Sequence, residues 1–158
     1  MESTQSVTIG RRSVRGILID DQGQLLLIKR TRPGQAPYWT SPGGGVEKSD
    51  ATVEDALRRE FAEELGATAE VQRQVFLASD TADGGVAIQY FFVARLKSLN
   101  LSDRYGSEFS DAARGRYDLE RVSLHDKSLE QIDLKPPALK EFVLANRDAI
   151  LAEAGFAS

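Results

Sequence analysis

The sequence contains no cysteine, which excludes both disulfide bonds and thiolate metal sites. It contains one histidine, His125, which is too few to build a histidine-based metal centre. No apolar run approaches the roughly 20 residues that a membrane-spanning helix requires, and the N-terminal segment MESTQSVTIG has no apolar core of a signal peptide. We therefore expect a cytoplasmic protein that has no membrane association.

The sequence also lacks an excess of basic residues. Its 158 residues carry a formal net charge of −4 at pH 7. This balance argues against nucleic acid as a partner, although it leaves room for a local basic pocket that holds a phosphate group. A hydrophobic fraction of 41% is ordinary for a globular chain. The length predicts a single domain over residues 1–158.

The hydrophobic pattern predicts both strands and helices. Two apolar runs, SVRGILID and QLLLIKR, form a predicted hairpin across the turn at residues 21–23, and the second is apolar enough for a central strand. Further strands are predicted over AEVQRQVFLAS, VAIQYFFVARLK and RYDLERVSL. A helical period runs from about Thr52 to Leu65, and one amphipathic helix is predicted after Pro136. This mixture indicates an α/β fold with a mixed sheet.

The segment REFAEELG contains three glutamates, Glu60, Glu63 and Glu64, at helical spacing i, i+3 and i+4. Like charges at this spacing repel unless water screens them or a cation binds there. Carboxylate oxygens are suited to Mg²⁺ or Mn²⁺, and Mg²⁺ is often shared with substrate phosphates. A solvated acidic helix face is the alternative. The preceding PGGGVE favours a metal site, because glycine lets the backbone approach a ligand closely.

The segment from Gly43 to Ala67, GGGVEKSDATVEDALRREFAEELGA, resembles the signature of the Nudix hydrolases (MutT-like). The match consists of the glycines, Val46–Glu47 and the core Arg59-Glu60-x-x-Glu63-Glu64-x-Gly66. The resemblance implies a Nudix-type α/β/α sandwich with a mixed β-sheet. The family's usual Gly-Glu before the helix is replaced by Ser49–Asp50, with one extra residue before the helix core. Asp50 is therefore left without an assigned role beyond a helix cap.

This resemblance implies a metal-dependent pyrophosphohydrolase. Its substrate would be a nucleoside triphosphate or another nucleoside diphosphate derivative, and water attack on phosphorus would release a nucleoside monophosphate. Mg²⁺ is the implied cofactor, with Mn²⁺ as a substitute. The implied metal ligands are Glu60, Glu63, Glu64, Glu47 and the carbonyl of Gly44. Arg59 would orient a carboxylate, and Glu63 or Glu64 would take the proton from water, with Glu108 as a rival.

Three further residues are candidates for substrate binding. Arg30 and Arg32 end a strand near the glycines and are candidates for phosphate contacts, whereas a solvated strand end is the alternative. Trp39 is a candidate for stacking on a base, with core packing as the alternative. A non-catalytic nucleotide- or metabolite-sensing module is the alternative function on the same fold. The expected partner is a small nucleotide, and the oligomeric state, monomer or homodimer, stays open.

Overall fold

The computed structural model describes residues 8–82, 85–104 and 114–156. These residues form one mixed sheet with helices on both of its faces. The strands are β1 (Ile9–Ile19), β2 (Gln24–Thr31), β3 (Tyr38–Thr40), β4 (Gly43–Gly45), β5 (Ala67–Ala82), β6 (Gly85–Leu99), β7 (Arg116–Ser123) and β8 (Leu134–Lys135). The α-helices are α1 (Val53–Leu65), α2 (Pro137–Ala145) and α3 (Arg147–Glu153). None of these helices combines the length and hydropathy needed to cross a bilayer.

The strands follow the order β5-β6-β1-β2-β3-β8, and β4 and β7 pair with β1 and β2 outside this path. β1 runs parallel to β6 but antiparallel to β2 and β4, so the mixed sheet is confirmed. The predicted hairpin is β1 and β2. At its turn the Asp20 carboxylate accepts hydrogen bonds from the backbone N–H groups of Gln22 and Gln24, each at 2.9 Å.

The central position predicted for β2 is confirmed, because its side chains are buried on both faces of the sheet. Leu25 and Leu27 belong to a core shared with α2 and α3. Leu26 and Ile28 belong to a second core, shared with α1. The sheet thus lies between helices on both sides, which is the α/β/α sandwich that the sequence predicts.

Helix α1 has the bounds that its caps predict. The Thr52 hydroxyl accepts from the backbone N–H of Asp55 at 3.0 Å, and Gly66 ends the helix in the left-handed conformation with φ of 60°. Leu57, Phe61 and Leu65 are fully buried against the sheet. The helix is therefore held in one rotation about its axis, which brings the neighbouring glutamates to the edge of the core.

The prediction of one continuous helix after Pro136 is wrong, because α2 and α3 are separated at Asn146. In a continuous helix the backbone N–H of Asn146 would donate to the carbonyl of Phe142. Here the side-chain Nδ2 of Asn146 donates to that carbonyl at 2.8 Å, and the backbone N–H donates to Val143 at 3.2 Å. The asparagine side chain thus replaces the helical bond and lets the chain change direction.

Candidate active site

Strand β4 places two glycines directly beside the carboxylates of α1. Antiparallel pairing sets Gly44 opposite Val14 in the middle of β1. A Cβ atom on Gly44 would lie 2.5 Å from Cδ of Glu60 and 2.6 Å from each of its carboxylate oxygens. The Glu60 carboxylate is thus packed against glycine backbone, and the residue is only 8% exposed. This close approach explains why glycine occupies position 44.

Glu64 lies one helical turn after Glu60, and its Oε1 accepts a hydrogen bond from the backbone N–H of Gly43 at 3.1 Å. Glu60 and Glu64 line one cavity of about 350 Å³ together with both glycines. The other described lining residues are Arg11, Arg15, Ile28, Arg30, Tyr38, Thr40, Arg114 and Tyr117. The cavity therefore combines two carboxylates with several guanidinium groups, which suits a ligand that carries both metal ions and negative charge.

Arg59 connects the acidic residues of the loop and of the helix. Its Nε and Nη2 donate to the two carboxylate oxygens of Asp50 at 3.1 and 3.0 Å. Its Nη1 donates to Glu60 at 2.9 Å and to Glu63 at 3.3 Å, and Nη2 also donates to the carbonyl of Gly45 at 2.9 Å. One guanidinium group thus fixes the orientation of two glutamate side chains and links strand β4 to α1.

The pairing with Arg59 gives Asp50 a structural contact, whereas the sequence pattern assigns it no role beyond a helix cap. Thr52, and not Asp50, caps α1. Hydrogen bonds from Arg59, and then from the backbone N–H of Glu47, hold the pKa of Asp50 below its usual value. The hydrogen bond to Asp50 is in turn the largest cause that raises the pKa of Arg59. Glu47 is not among the residues that line the cavity, and its carboxylate lies 3.6 Å from Nη1 of Arg59.

The donor chemistry of this region fits a hard divalent cation. Glu60 and Glu64 present only oxygen atoms to the cavity, and the glycine at position 44 leaves the backbone accessible beside them. Within the described ranges, no three acidic or histidine side chains are already grouped as a metal cage. Arg59 explains this arrangement, because its guanidinium hydrogen-bonds both Glu60 and Glu63. Coordination by all three glutamates would require Glu60 and Glu63 either to share their carboxylates between Arg59 and the cation or to turn away from Arg59.

Arg15 of β1 lines the cavity, although the sequence pattern does not mark it as a site residue. Its Nε donates to Oε1 of Gln89 at 3.1 Å, and its Nη1 donates to the carbonyl of Ser41 at 2.7 Å. Burial lowers the pKa of Arg15, and the carboxylates of Glu64 and Glu60 counteract this effect. The available signal was an arginine inside the otherwise apolar strand SVRGILID.

Arg30 and Arg32 have different positions, although both were predicted to contact phosphate. Arg30 lines the cavity, but its guanidinium stacks on the Tyr117 ring at 3.5 Å from the centroid. Its Nη2 and Nε donate to the carbonyls of Arg114 and Arg116. Arg32 follows the end of β2 and is exposed to solvent. Arg30 therefore links β2 to the backbone around the start of β7, whereas Arg32 is not among the residues that line the cavity.

Trp39 points to the face of the sheet opposite the cavity. Its neighbours Tyr38 and Thr40 line the cavity, so strand alternation directs Trp39 the other way. Its indole N–H donates to Glu120 at 3.1 Å, and the ring packs against the core shared with α2 and α3. This position suits the core-packing alternative and not base stacking. Glu108, the rival proton acceptor, lies outside the described residues.

The sequence model described as the NUDIX domain matches residues 10–137. No curated protein matches the sequence. A NUDIX hydrolase from Nitrosomonas europaea is similar in structure, with a TM-score of 0.66, 18% identity and 88% of each chain covered. The E. coli ORF135 protein has a TM-score of 0.63 and 25% identity, over 88% of this chain and 91% of that one. A MutT NUDIX hydrolase from Burkholderia pseudomallei has a TM-score of 0.54 and 27% identity, over 73% and 84%.

Proposed function

This chain belongs to the Nudix family and is a phosphoanhydride hydrolase, and from that premise we propose that it is a pyrophosphohydrolase dependent on Mg²⁺ or Mn²⁺. The proposed substrate is a nucleoside triphosphate or another nucleoside diphosphate derivative, and the product is a nucleoside monophosphate. One observation carries this proposal: a single cavity is lined by the carboxylates of Glu60 and Glu64 and by arginine side chains. A metal-bound pyrophosphate group has the complementary charges.

The residues that would hold the cation are Glu60 and Glu64, with the carbonyl of Gly44 beside them. A bound divalent cation would offset the charge on the phosphate oxygens and lower the pKa of a bound water. We assign Glu64 to accept the proton from the attacking water, because its carboxylate lines the cavity. The carboxylate of Glu63 is engaged by Arg59, so Glu63 is the second choice for this role.

Arg59 and Asp50 have positioning roles in this proposal. Arg59 hydrogen-bonds Glu60 and thereby limits the directions that this carboxylate can take. Asp50 holds Arg59 through two hydrogen bonds to the guanidinium, a geometry that fixes its plane. The altered turn at Ser49–Asp50 would favour the sensing module if it disrupted the acidic cluster. Because Asp50 still reaches Arg59, the altered turn gives that alternative no support.

The proposal is tested by hydrolysis of a panel of nucleoside triphosphates, nucleotide sugars and dinucleoside polyphosphates, with Mg²⁺ or with EDTA. We expect chromatography to show a nucleoside monophosphate only in the presence of metal. Glu64→Gln should lower kcat by about 100-fold or more, the usual contribution of a general base. Glu54→Gln makes the same chemical change in the first turn of α1 and should stay within about twofold of the wild type.

One result would contradict the proposed function, and another would contradict only the role assigned to Glu64. The first is the absence of any metal-dependent nucleoside monophosphate across the panel. The second is wild-type turnover by Glu64→Gln, which would remove the assigned role while leaving the reaction class intact. Tight nucleotide binding without product would instead favour the sensing module.

A further inference from the structure

Two arginines of the cavity differ in where their hydrogen-bond donors point. The guanidinium of Arg30 donates to two main-chain carbonyls and lies flat on Tyr117. These contacts join β2 to the start of β7 and to the segment before it, occupy Nε and Nη2, and place one face of the guanidinium against an aromatic ring. Arg30 therefore supplies positive charge to the cavity but is already bound to the protein.

Arg15, which also lines the cavity, is held in a different way. A Cβ atom on Gly43 would lie 2.7 Å from Cα and 3.0 Å from Cγ of Arg15, so the glycine makes space for this side chain. Gln89 and the Ser41 carbonyl then bind Nε and Nη1 of the guanidinium and fix its plane. Among the described residues, no hydrogen bond involves Nη2 of Arg15. The Nη2 donors of this oriented guanidinium group are thus the ones left for a ligand of the cavity that Arg15 lines.

The surroundings of Arg15 match the charges of a phosphate group. The carboxylates of Glu64 and Glu60 line the same cavity as Arg15 and act on it as opposing charges, and these are the residues proposed to hold a cation. A cation placed there would take up their negative charge, and Arg15 would then require another anion beside it. Arginine suits a phosphate group because its planar donors can bind two oxygens at once and it stays charged when it is buried.

We propose that Arg15 binds a phosphate oxygen of the substrate's pyrophosphate group in this cavity. This inference rests on the proposed function, since it takes the cavity as the substrate site. It assigns to Arg15 the phosphate contact that the sequence pattern suggested for Arg30 and Arg32. The ligand class is any pyrophosphate-bearing molecule, because the contact is made to phosphate and not to a base.

The test is isothermal titration of the protein with inorganic pyrophosphate in the presence of Mg²⁺, which needs no turnover. Arg15→Gln should weaken pyrophosphate binding by about tenfold to a hundredfold, the loss expected for charge-assisted hydrogen bonds. Arg15→Lys keeps the charge but loses the planar fork, so its affinity should fall between those of the wild type and Arg15→Gln. Thermal unfolding of each variant shows whether the fold is retained.

Arg12→Gln is the matched control. Arg12 lies on the same strand, is exposed, and has its Nε 3.3 Å from the Tyr90 hydroxyl, outside the cavity lining. Its removal changes the net charge equally and should leave pyrophosphate affinity within about twofold, since exposed charges are screened by solvent.

Equal affinity of Arg15→Gln and the wild type would overturn the inference, and so would an equal loss in Arg12→Gln. If Arg15→Gln does not fold, wild-type affinity in Arg15→Lys overturns it. Failure of the wild type to bind pyrophosphate also overturns it, even where the nucleotide panel shows metal-dependent hydrolysis. The proposed function fails separately, through the absence of a metal-dependent product across the panel.

Discussion

Gly44→Ala should separate the function of the carboxylate cluster from the stability of the fold. The new methyl group would lie 2.5 Å from Cδ of Glu60, whereas ordinary contact begins at 3.4 Å, so the carboxylate must move by about 0.9 Å (3.4 − 2.5). Gly44 has no positive φ, so alanine can adopt its backbone conformation. The displaced atoms are the end of a side chain, and rotating that end costs about 0.5–1.5 kcal/mol.

The consequence for the proposed site is larger than the consequence for the fold. Moving the carboxylate disturbs the 2.9 Å hydrogen bond from Arg59 to Glu60 and shifts a proposed metal ligand. A misplacement of about 1 Å in a catalytic site can reduce the rate by about 100-fold. We therefore expect Gly44→Ala to weaken Mn²⁺ binding, which can be measured from the electron paramagnetic resonance signal of free Mn²⁺. We also expect a fall in kcat/KM of tenfold to a hundredfold.

Gly45→Ala provides the matched control, because a Cβ atom on Gly45 would have no heavy atom within 4 Å. Its Mn²⁺ affinity and kcat/KM should equal those of the wild type. The reasoning is refuted if Gly44→Ala binds Mn²⁺ and turns over substrate normally, or if Gly45→Ala is impaired to the same extent. A large fall in melting temperature for Gly44→Ala would show that backbone, and not the carboxylate, had moved.

Two further variants test the pairing of Asp50 and the packing of α1. The hydrogen bond from Arg59 holds the pKa of Asp50 in the folded protein below its usual value of about 3.9. The pairing therefore stabilises the fold above that pH. This stabilisation is lost as the pH falls through the folded-state pKa. Asp50→Asn should therefore show a melting temperature that depends less on pH than that of the wild type between about pH 5 and pH 2, and parallel curves would contradict this. Gly16→Ala would place a Cβ atom 2.3 Å from Cζ of the buried Phe61 ring. This overlap should lower the free energy of unfolding by about 1–3 kcal/mol and the melting temperature by several degrees. An unchanged melting temperature would show that the ring can move without cost.

The fold was predictable where local pattern and tertiary packing agree. Helix α1 follows from an apolar repeat between a threonine cap and Gly66, and all of these signals lie within one short segment. The break at Asn146 was not predictable in the same way. Asparagine can continue a helix or bond to a preceding carbonyl with its side chain, and both options are close in free energy. Packing of Ile150 and Leu151 against the sheet accompanies the second option here.

The acidic half of the candidate site was predictable because it comes from a single helix. Spacing alone places Glu60 and Glu64 on one face. Arg15 instead reaches the cavity through pairing between distant segments: β1 lies beside β4, and its parallel partner β6 brings Gln89 within hydrogen-bond distance. Parallel pairing of this kind leaves no local sequence signal, since register is set by contacts across the whole sheet.

The contrast between Arg15 and Arg30 shows what a sequence pattern omits about charged residues. Position near the glycines of β4 predicts that the positive charge of Arg30 will reach the cavity, and Arg30 does line it, as does Arg15, which the sequence pattern does not predict. An arginine acts on a ligand only through donors that the protein has not already used. Arg30 directs Nη2 and Nε to the carbonyls of Arg114 and Arg116 and stacks on Tyr117. Arg15 directs Nε and Nη1 to Gln89 and the Ser41 carbonyl, and among the described residues no hydrogen bond involves its Nη2. The assignment of roles therefore depends on hydrogen-bond partners, which only the folded chain brings together.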